Sequence, residues 1–116
     1  MLPRPAPGLA FSPDGNLLAT ANADGTARPW DPATGSQVRT LIGHTQAVNG
    51  VAFSPDGNLL ATASSDNTAQ MWDPVTGERV HTLIGHTAMV WIADFNPDGG
   101  LLATASSDNT ARTWTR

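Results

Sequence analysis

The chain has no cysteine. No disulfide, thiolate nucleophile or Cys-ligated zinc can therefore be built from it. Lysine is absent too. All six basic residues are arginines, set against ten carboxylates, for a formal charge of −4. Nucleic acid and anionic membranes demand a basic footprint, so neither is an expected partner. No apolar run reaches the roughly 18 residues of a membrane span. The opening MLPRPAPG lacks the apolar stretch of a secretory signal. Apolar residues nowhere recur at i, i+3, i+4 over a useful length, which argues against helices. These exclusions leave a soluble, cytoplasmic protein of 116 residues, 40% apolar, with no call for a cofactor.

What is present is a repeat. Val51 to Ile92, moved back 42 residues, falls on Leu9 to Gly50; moved forward, it falls on Ala93 to Arg116. Phe11, Phe53 and Phe95 superpose, as do Trp30, Trp72 and Trp114. The SPDG at Ser12 and Ser54 returns as NPDG at Asn96. A period of this size signals a repeat architecture. The copies run 9–50, 51–92 and 93–116, and residues 1–8, with three prolines, read as a lead-in. In the central copy, strands are expected at Val48 to Phe53, Leu59 to Ser64, Thr68 to Trp72 and Arg79 to Ile84. Ser-Pro-Asp-Gly, Ser-Asp-Asn and Asp-Pro-Val-Thr-Gly punctuate them with turn chemistry. Short strands with regular turns indicate an all-β architecture. The third copy stops before its fourth strand, so eleven strands are expected, in groups of four, four and three.

A Gly-His pair, a strand, SPDG, a strand ending in Ser-x-Asp and a strand ending in Trp-Asp together resemble the WD-repeat (WD40) family. The resemblance covers residues 9 to 116. It implies β-propeller blades, each a four-stranded antiparallel sheet packed radially about a channel. Apolar residues on both strand faces agree with this, as at Leu59-Leu60-Ala61 and Leu101-Leu102-Ala103. The resemblance also implies a buried polar network. It would join His44, Ser64, Asp66 and Trp72 in the central blade, and His86, Ser106, Asp108 and Trp114 in the third. Thr62 competes with Ser64 for the hydroxyl role, because both lie on one strand face at spacing two. The first blade keeps Asp24 and Trp30 but has Leu2 in the His position and Asn22 in the Ser position. Pro29 also interrupts its third strand, so this blade is expected to be the least well ordered.

His44, Ser64 and Asp66 have the composition of a hydrolase triad. Yet the set occurs twice and no G-x-S-x-G elbow accompanies it, so the structural role is preferred. The three histidines show no metal-ligand spacing. The Asp-Gly and Asp-Asn pairs have too few carboxylates for calcium. Arg28, Gln70 and Arg112 share one repeat position and read as solvated. Trp91 and its equivalent Asn49 fall at the start of the innermost strand, near the channel mouth. The family commonly holds partner peptides at that rim, and tryptophan is enriched among binding anchors, so both are candidate partner-binding residues. Packing of Trp91 on Met89 or on a neighbouring blade is the alternative.

Three blades cannot close a ring. The simplest cure is head-to-tail self-association. Two chains would give six blades and three would give nine, and the usual range favours the homodimer over the homotrimer. Residues 1–8, with Pro3, Pro5 and Pro7, are poor candidates for the missing strand. The function expected is that of a non-enzymatic interaction scaffold. The alternative is a structural fragment of a larger or designed propeller with no partner of its own.

Overall fold

A computed structural model describes residues 8–116. The lead-in apart from Gly8, the Leu2 position and the Pro7 equivalent of Trp91 lie outside the described residues. Within them the chain is all strand, turn and loop. The first sheet holds β1 (Gly8–Phe11), β2 (Leu18–Ala21), β3 (Thr26–Trp30) and β4 (Leu41–Ile42). The second holds β5 (Val48–Phe53), β6 (Leu60–Ser64), β7 (Thr68–Trp72) and β8 (Arg79–Ile84). The third holds β9 (Val90–Phe95), β10 (Leu101–Ser106) and β11 (Ala111–Thr115). Every pairing is antiparallel between sequence neighbours. These sheets are the blades, with four, four and three strands. Gly8 opens β1 and so belongs to the first blade, not to the lead-in.

The SPDG turn explains why β5 folds back into β6 there. Gly57 N–H donates to the Ser54 carbonyl at 2.9 Å, and Gly57 takes φ of 77°, a region that costs glycine nothing. The Ser54 hydroxyl donates to Asp56 and accepts from Leu59 N–H, locking the turn from inside. Serine repeats this at Ser12, and Asn96 takes over the acceptor role for Leu101.

Strand alternation gives each blade two unlike faces. Residues directly opposite in antiparallel strands share a face. One face of the second blade therefore gathers Gly50, Ala52, Ala61, Ala63, Ala69 and Met71. The other gathers Val51, Phe53, Leu60, Thr62 and Trp72. The small face packs on the third blade, where Ala61, Ala63, Ala69, Met71 and Leu83 cluster with Ala93, Phe95 and Leu102. The large face packs on the first blade, where Leu60 and Trp72 cluster with Ala19, Ala27 and Leu41. The rule is thus small face onto large face, repeated along the chain.

The first blade departs from the second at its rim. β8 pairs with β7 over five residues, whereas β4 pairs with β3 at only two. Pro29 accounts for this. Its carbonyl accepts from Val38 N–H at 2.8 Å, so the N–H that proline lacks would have pointed to the same neighbour. An isolated bridge between Trp30 and Gln37 replaces the missing ladder.

Candidate functional site

The polar network of the second blade is a directed chain of four side chains. The Trp72 indole N–H donates to Thr62 Oγ1 at 3.0 Å. Thr62 Oγ1 lies 2.7 Å from His44 Nε2, and His44 Nδ1 lies 2.8 Å from Asp66 Oδ2. Indole is a donor only and carboxylate an acceptor only. The chain therefore runs Trp72 to Thr62 to His44, with His44 Nδ1–H donating to Asp66. Asp66 also accepts from Thr45 N–H, Thr68 N–H and the Thr68 hydroxyl. The third blade repeats it with Trp114, Thr104, His86 and Asp108 at nearly the same distances.

The bridging hydroxyl is therefore threonine, Thr62 or Thr104, and not Ser64 or Ser106. Ser64 donates to the carbonyls of Gln46 and Ala47 and accepts from Asp66 N–H. Ser106 does the same to Ala88 and Asp108. These serines tie the β6–β7 and β10–β11 turns to the preceding loop. The residue that meets the indole is decided by register. Thr62 lies opposite Gln70, two positions from the Leu60–Trp72 pair, while Ser64 lies beyond the last β6–β7 pair. In the first blade Trp30 donates to Thr20 at 3.0 Å, and Asp24 turns to Thr26 and Arg28.

Burial lowers the His44 pKa by disfavouring the charged ring, and the neighbouring Asp66 only partly opposes it. The ring is therefore neutral, as the chain of donors requires. Burial works against the Asp66 carboxylate, but hydrogen bonds from Thr68, His44 and Thr45 outweigh it and its pKa is lowered. Asp108 is lowered as well, chiefly by the Thr110 hydroxyl. Asp56 is held at about 2 by Ser54, by Asn58 N–H and by Arg116, whose guanidinium stands 2.9 Å away.

This geometry does not present a nucleophile. Thr62 is fully buried and its oxygen already receives the Trp72 N–H. The serine of the supposed triad makes no bond to the imidazole. Among the described residues no three of His, Asp or Glu are grouped to hold a metal ion.

At the start of β5 and β9 the two candidate binding residues differ. Asn49 donates to Ser65 Oγ and to the Val90 carbonyl, each at 3.0 Å. Its amide thus ties the second blade to the third. Trp91 is 46% exposed and donates its indole N–H to Ser107 within its own blade. Met89 beside it is exposed too. Gln70 is a correction to the sequence reading: it is buried, with its amide on the Gly43 carbonyl. Arg28 and Arg112, at the same repeat position, remain partly or fully open. Strand spacing alone does not separate these three: β7, which carries Gln70, lies between β6 and β8, whereas β11, which carries Arg112, is the edge of a three-stranded sheet.

Antiparallel blades of this build, joined by a repeated Trp–Thr–His–Asp chain, define a β-propeller repeat protein. The chain belongs to the WD40 family: the profile described as "WD domain, G-beta repeat" matches residues 7–31, 35–73 and 77–115. It is 49% identical over 41 residues to an uncharacterized WD repeat-containing protein of Nostoc sp., covering 35% of this chain and 3% of that protein. It is 47% identical over 45 residues to the probable serine/threonine-protein kinase PkwA of Thermomonospora curvata, covering 39% of this chain and 6% of the kinase. With the nuclear distribution protein PAC1-2 of Uncinocarpus reesii the identity is 52% over 44 residues, 38% of this chain and 9% of that one. The matched stretches are thus a small fraction of each relative's length.

Proposed function

We propose that this chain is a non-enzymatic protein–protein interaction scaffold whose blades complete a ring by self-association, two copies giving six blades and three giving nine. The observation that carries the reading is the pair of unpartnered faces at the two ends of the row. The first blade turns Leu9 and Phe11 outward, each 58% exposed. The third turns Leu101, Ala103, Ala105 and Ala111 outward, none of them buried. Exposed apolar faces of this kind mark interaction surfaces. One is of the large type and the other of the small type, the two that pack together inside the chain. The half-exposed Trp91 at the channel mouth would serve as an anchor for a partner peptide. Asn49 is committed to the seam between blades and contributes structure there.

Light scattering on a sizing column, over a range of concentrations, tests the assembly. Twice the chain mass supports a six-bladed ring and three times supports nine. A stable single chain that unfolds cooperatively would sink the reading. Polydisperse aggregate would favour the alternative, a fragment of a longer propeller whose end faces are covered by further blades of the same chain.

A further inference from the structure

The two seams inside the chain are built on glycine. A Cβ placed on Gly8 would stand 3.3 Å from Gly50 Cα. One on Gly50 would stand 2.9 Å from the Trp91 carbonyl oxygen and 3.7 Å from Ile92 Cα. A side chain at Gly50 would therefore force the backbone of the next blade to shift, and one at Gly8 would need its neighbour to give by a few tenths of an ångström. One period later the same position is Ile92. It lies opposite Ala105, which puts it on the outward face of the third blade, and it is 59% exposed. Two residues on, where the earlier copies have Ala10 and Ala52, stands Asp94. It lies opposite Ala103 on the same face and is exposed.

The rest of that face keeps the internal pattern. Ala103, Ala105 and Ala111 occupy the positions at which Ala61, Ala63 and Ala69 are packed away in the second blade. The far end of the chain carries the matching wall. Leu9, Phe11, Leu18 and Trp30 stand where Val51, Phe53, Leu60 and Trp72 pack in the second blade. Complementary walls at the two ends of one molecule, continuing the seams within it, fit a second copy of this chain as the occupant.

Building on the self-association reading, we infer that Ile92 and Asp94 make the seam between copies wider and weaker than the seams within a chain. A branched side chain at the glycine position meets the backbone of the arriving first blade near Gly8, so the innermost strands stand apart there. Asp94 is carried toward a wall of Leu9 and Phe11. The one described cation on that wall, Arg28, is already paired with Asp24 at 3.0 Å. A carboxylate desolvated without a partner opposes the contact. The intermolecular seam is thus the place where a ring opens.

The test is sedimentation equilibrium of the full chain against Ile92→Gly, Asp94→Ala and the double variant. The double variant should associate at least roughly tenfold more tightly, since removing overpacking and an unpaired charge each carries that order of effect. Where the natural chain associates, an unchanged or weaker constant for the double variant overturns the inference and leaves the self-association reading standing. A natural chain that stays monomeric overturns that reading. The double variant still decides the inference: association that appears only on substitution supports it, and a persistent monomer rejects it. Circular dichroism and urea melts check folding. Should glycine at position 92 unfold the strand, Ile92→Ala with Asp94→Ala shortens the same clash and is expected to shift association in the same direction by a smaller factor.

Discussion

Residues 59–69 and 101–111 read the same, LLATASSDNTA, yet they do not share one environment. In the second blade Leu60, Ala61, Thr62, Ala63 and Ser64 are all buried. In the third, Leu102 and Thr104 are buried, Ala103 is exposed, and Ala105 and Ser106 are half-buried. Ala69 is closed off where Ala111 is open. The identical polar chain is nevertheless complete in both, at 2.7 Å from imidazole to threonine and 2.8 Å from imidazole to carboxylate. The reason is directional. The network lies on the large face, and its histidine comes from the loop that leaves the preceding blade, which both copies possess. The small face depends on the following blade, which only the second copy has. A repeat of this kind is therefore two half-interfaces, and each can be satisfied or left open independently.

The sharpest break of that comparison is a charge on the small face. Ala61→Asp buries an unpaired carboxylate against the third blade and should cost about 3–5 kcal/mol, a large share of the stability of a typical domain. Ala103→Asp, the same change one period on, meets only water and the like charge of Asp94 directly across the ladder, and should cost no more than about 1 kcal/mol in a dilute single chain. Urea unfolding of the two variants reads the difference. Equal losses would mean that the third blade's outward face is covered in solution.

The large face should show the opposite, near-equal behaviour. Thr62→Val leaves an indole N–H and an imidazole nitrogen without their partner, at a cost of about 1–3 kcal/mol. Thr104→Val removes the same bonds and should cost somewhat less, because Trp114 is only partly buried whereas Trp72 is 2% exposed. Ser64→Ala, which loses a turn tie and no network bond, should fall below both. A Ser64 effect larger than that of Thr62 would overturn the assignment of the bridging hydroxyl.

Acid should act on the fold in two stages. The folded-state pKa of His44 is lowered from 6.5, so the unfolded chain takes up the proton first. Its contribution is full above about pH 6.5 and is lost as pH falls below that value, with a slope no steeper than about 1.4 kcal/mol per pH unit. Asp56, Asp66 and Asp108 are lowered from 3.8. Their contributions are present above that pH and are lost as it falls further. Thermal unfolding of the natural chain and of His44→Gln separates the stages: the variant should lose the decline that starts near pH 6.5 and keep the acid one.

How much of this could be read beforehand depends on the range of the interaction. The strands of the second blade fall where the turns put them, with β6 beginning at Leu60 in place of Leu59. Ser-Pro-Asp-Gly and Asp-Pro-Val-Thr-Gly are local devices whose hydrogen bonds close within a few residues, so spacing alone places them. The histidine and aspartate of the network also have fixed offsets. The choice between Thr62 and Ser64 turned on how far the β6–β7 ladder extends, and spacing two cannot express that. The tie made by Asn49 and the openness of Ala103 depend on which blade stands alongside, and the burial of Gln70 depends on β7 having a strand on each side.

The smallest contrast lies near the start of β5 and β9, where Asn49 and Trp91 share a repeat position. Asn49 bonds across the seam to the Val90 carbonyl, and that carbonyl belongs to the next blade. Asn49→Ala should therefore cost about 1 kcal/mol and loosen the second blade against the third. Trp91 bonds only to Ser107 within its blade and leaves nearly half its surface in water. Trp91→Ala should change stability by less than about 0.5 kcal/mol. If Trp91 instead proves the costlier loss in urea unfolding, its indole is packed in solution and cannot also be a free anchor for a peptide. If Asn49 is the costlier loss and Trp91→Ala removes a peptide contact without moving the melt, the same repeat position serves cohesion in one blade and recognition in the next. That division would follow from the side chains themselves, an amide that reaches the next blade in one copy and an indole that bonds within its own blade in the other.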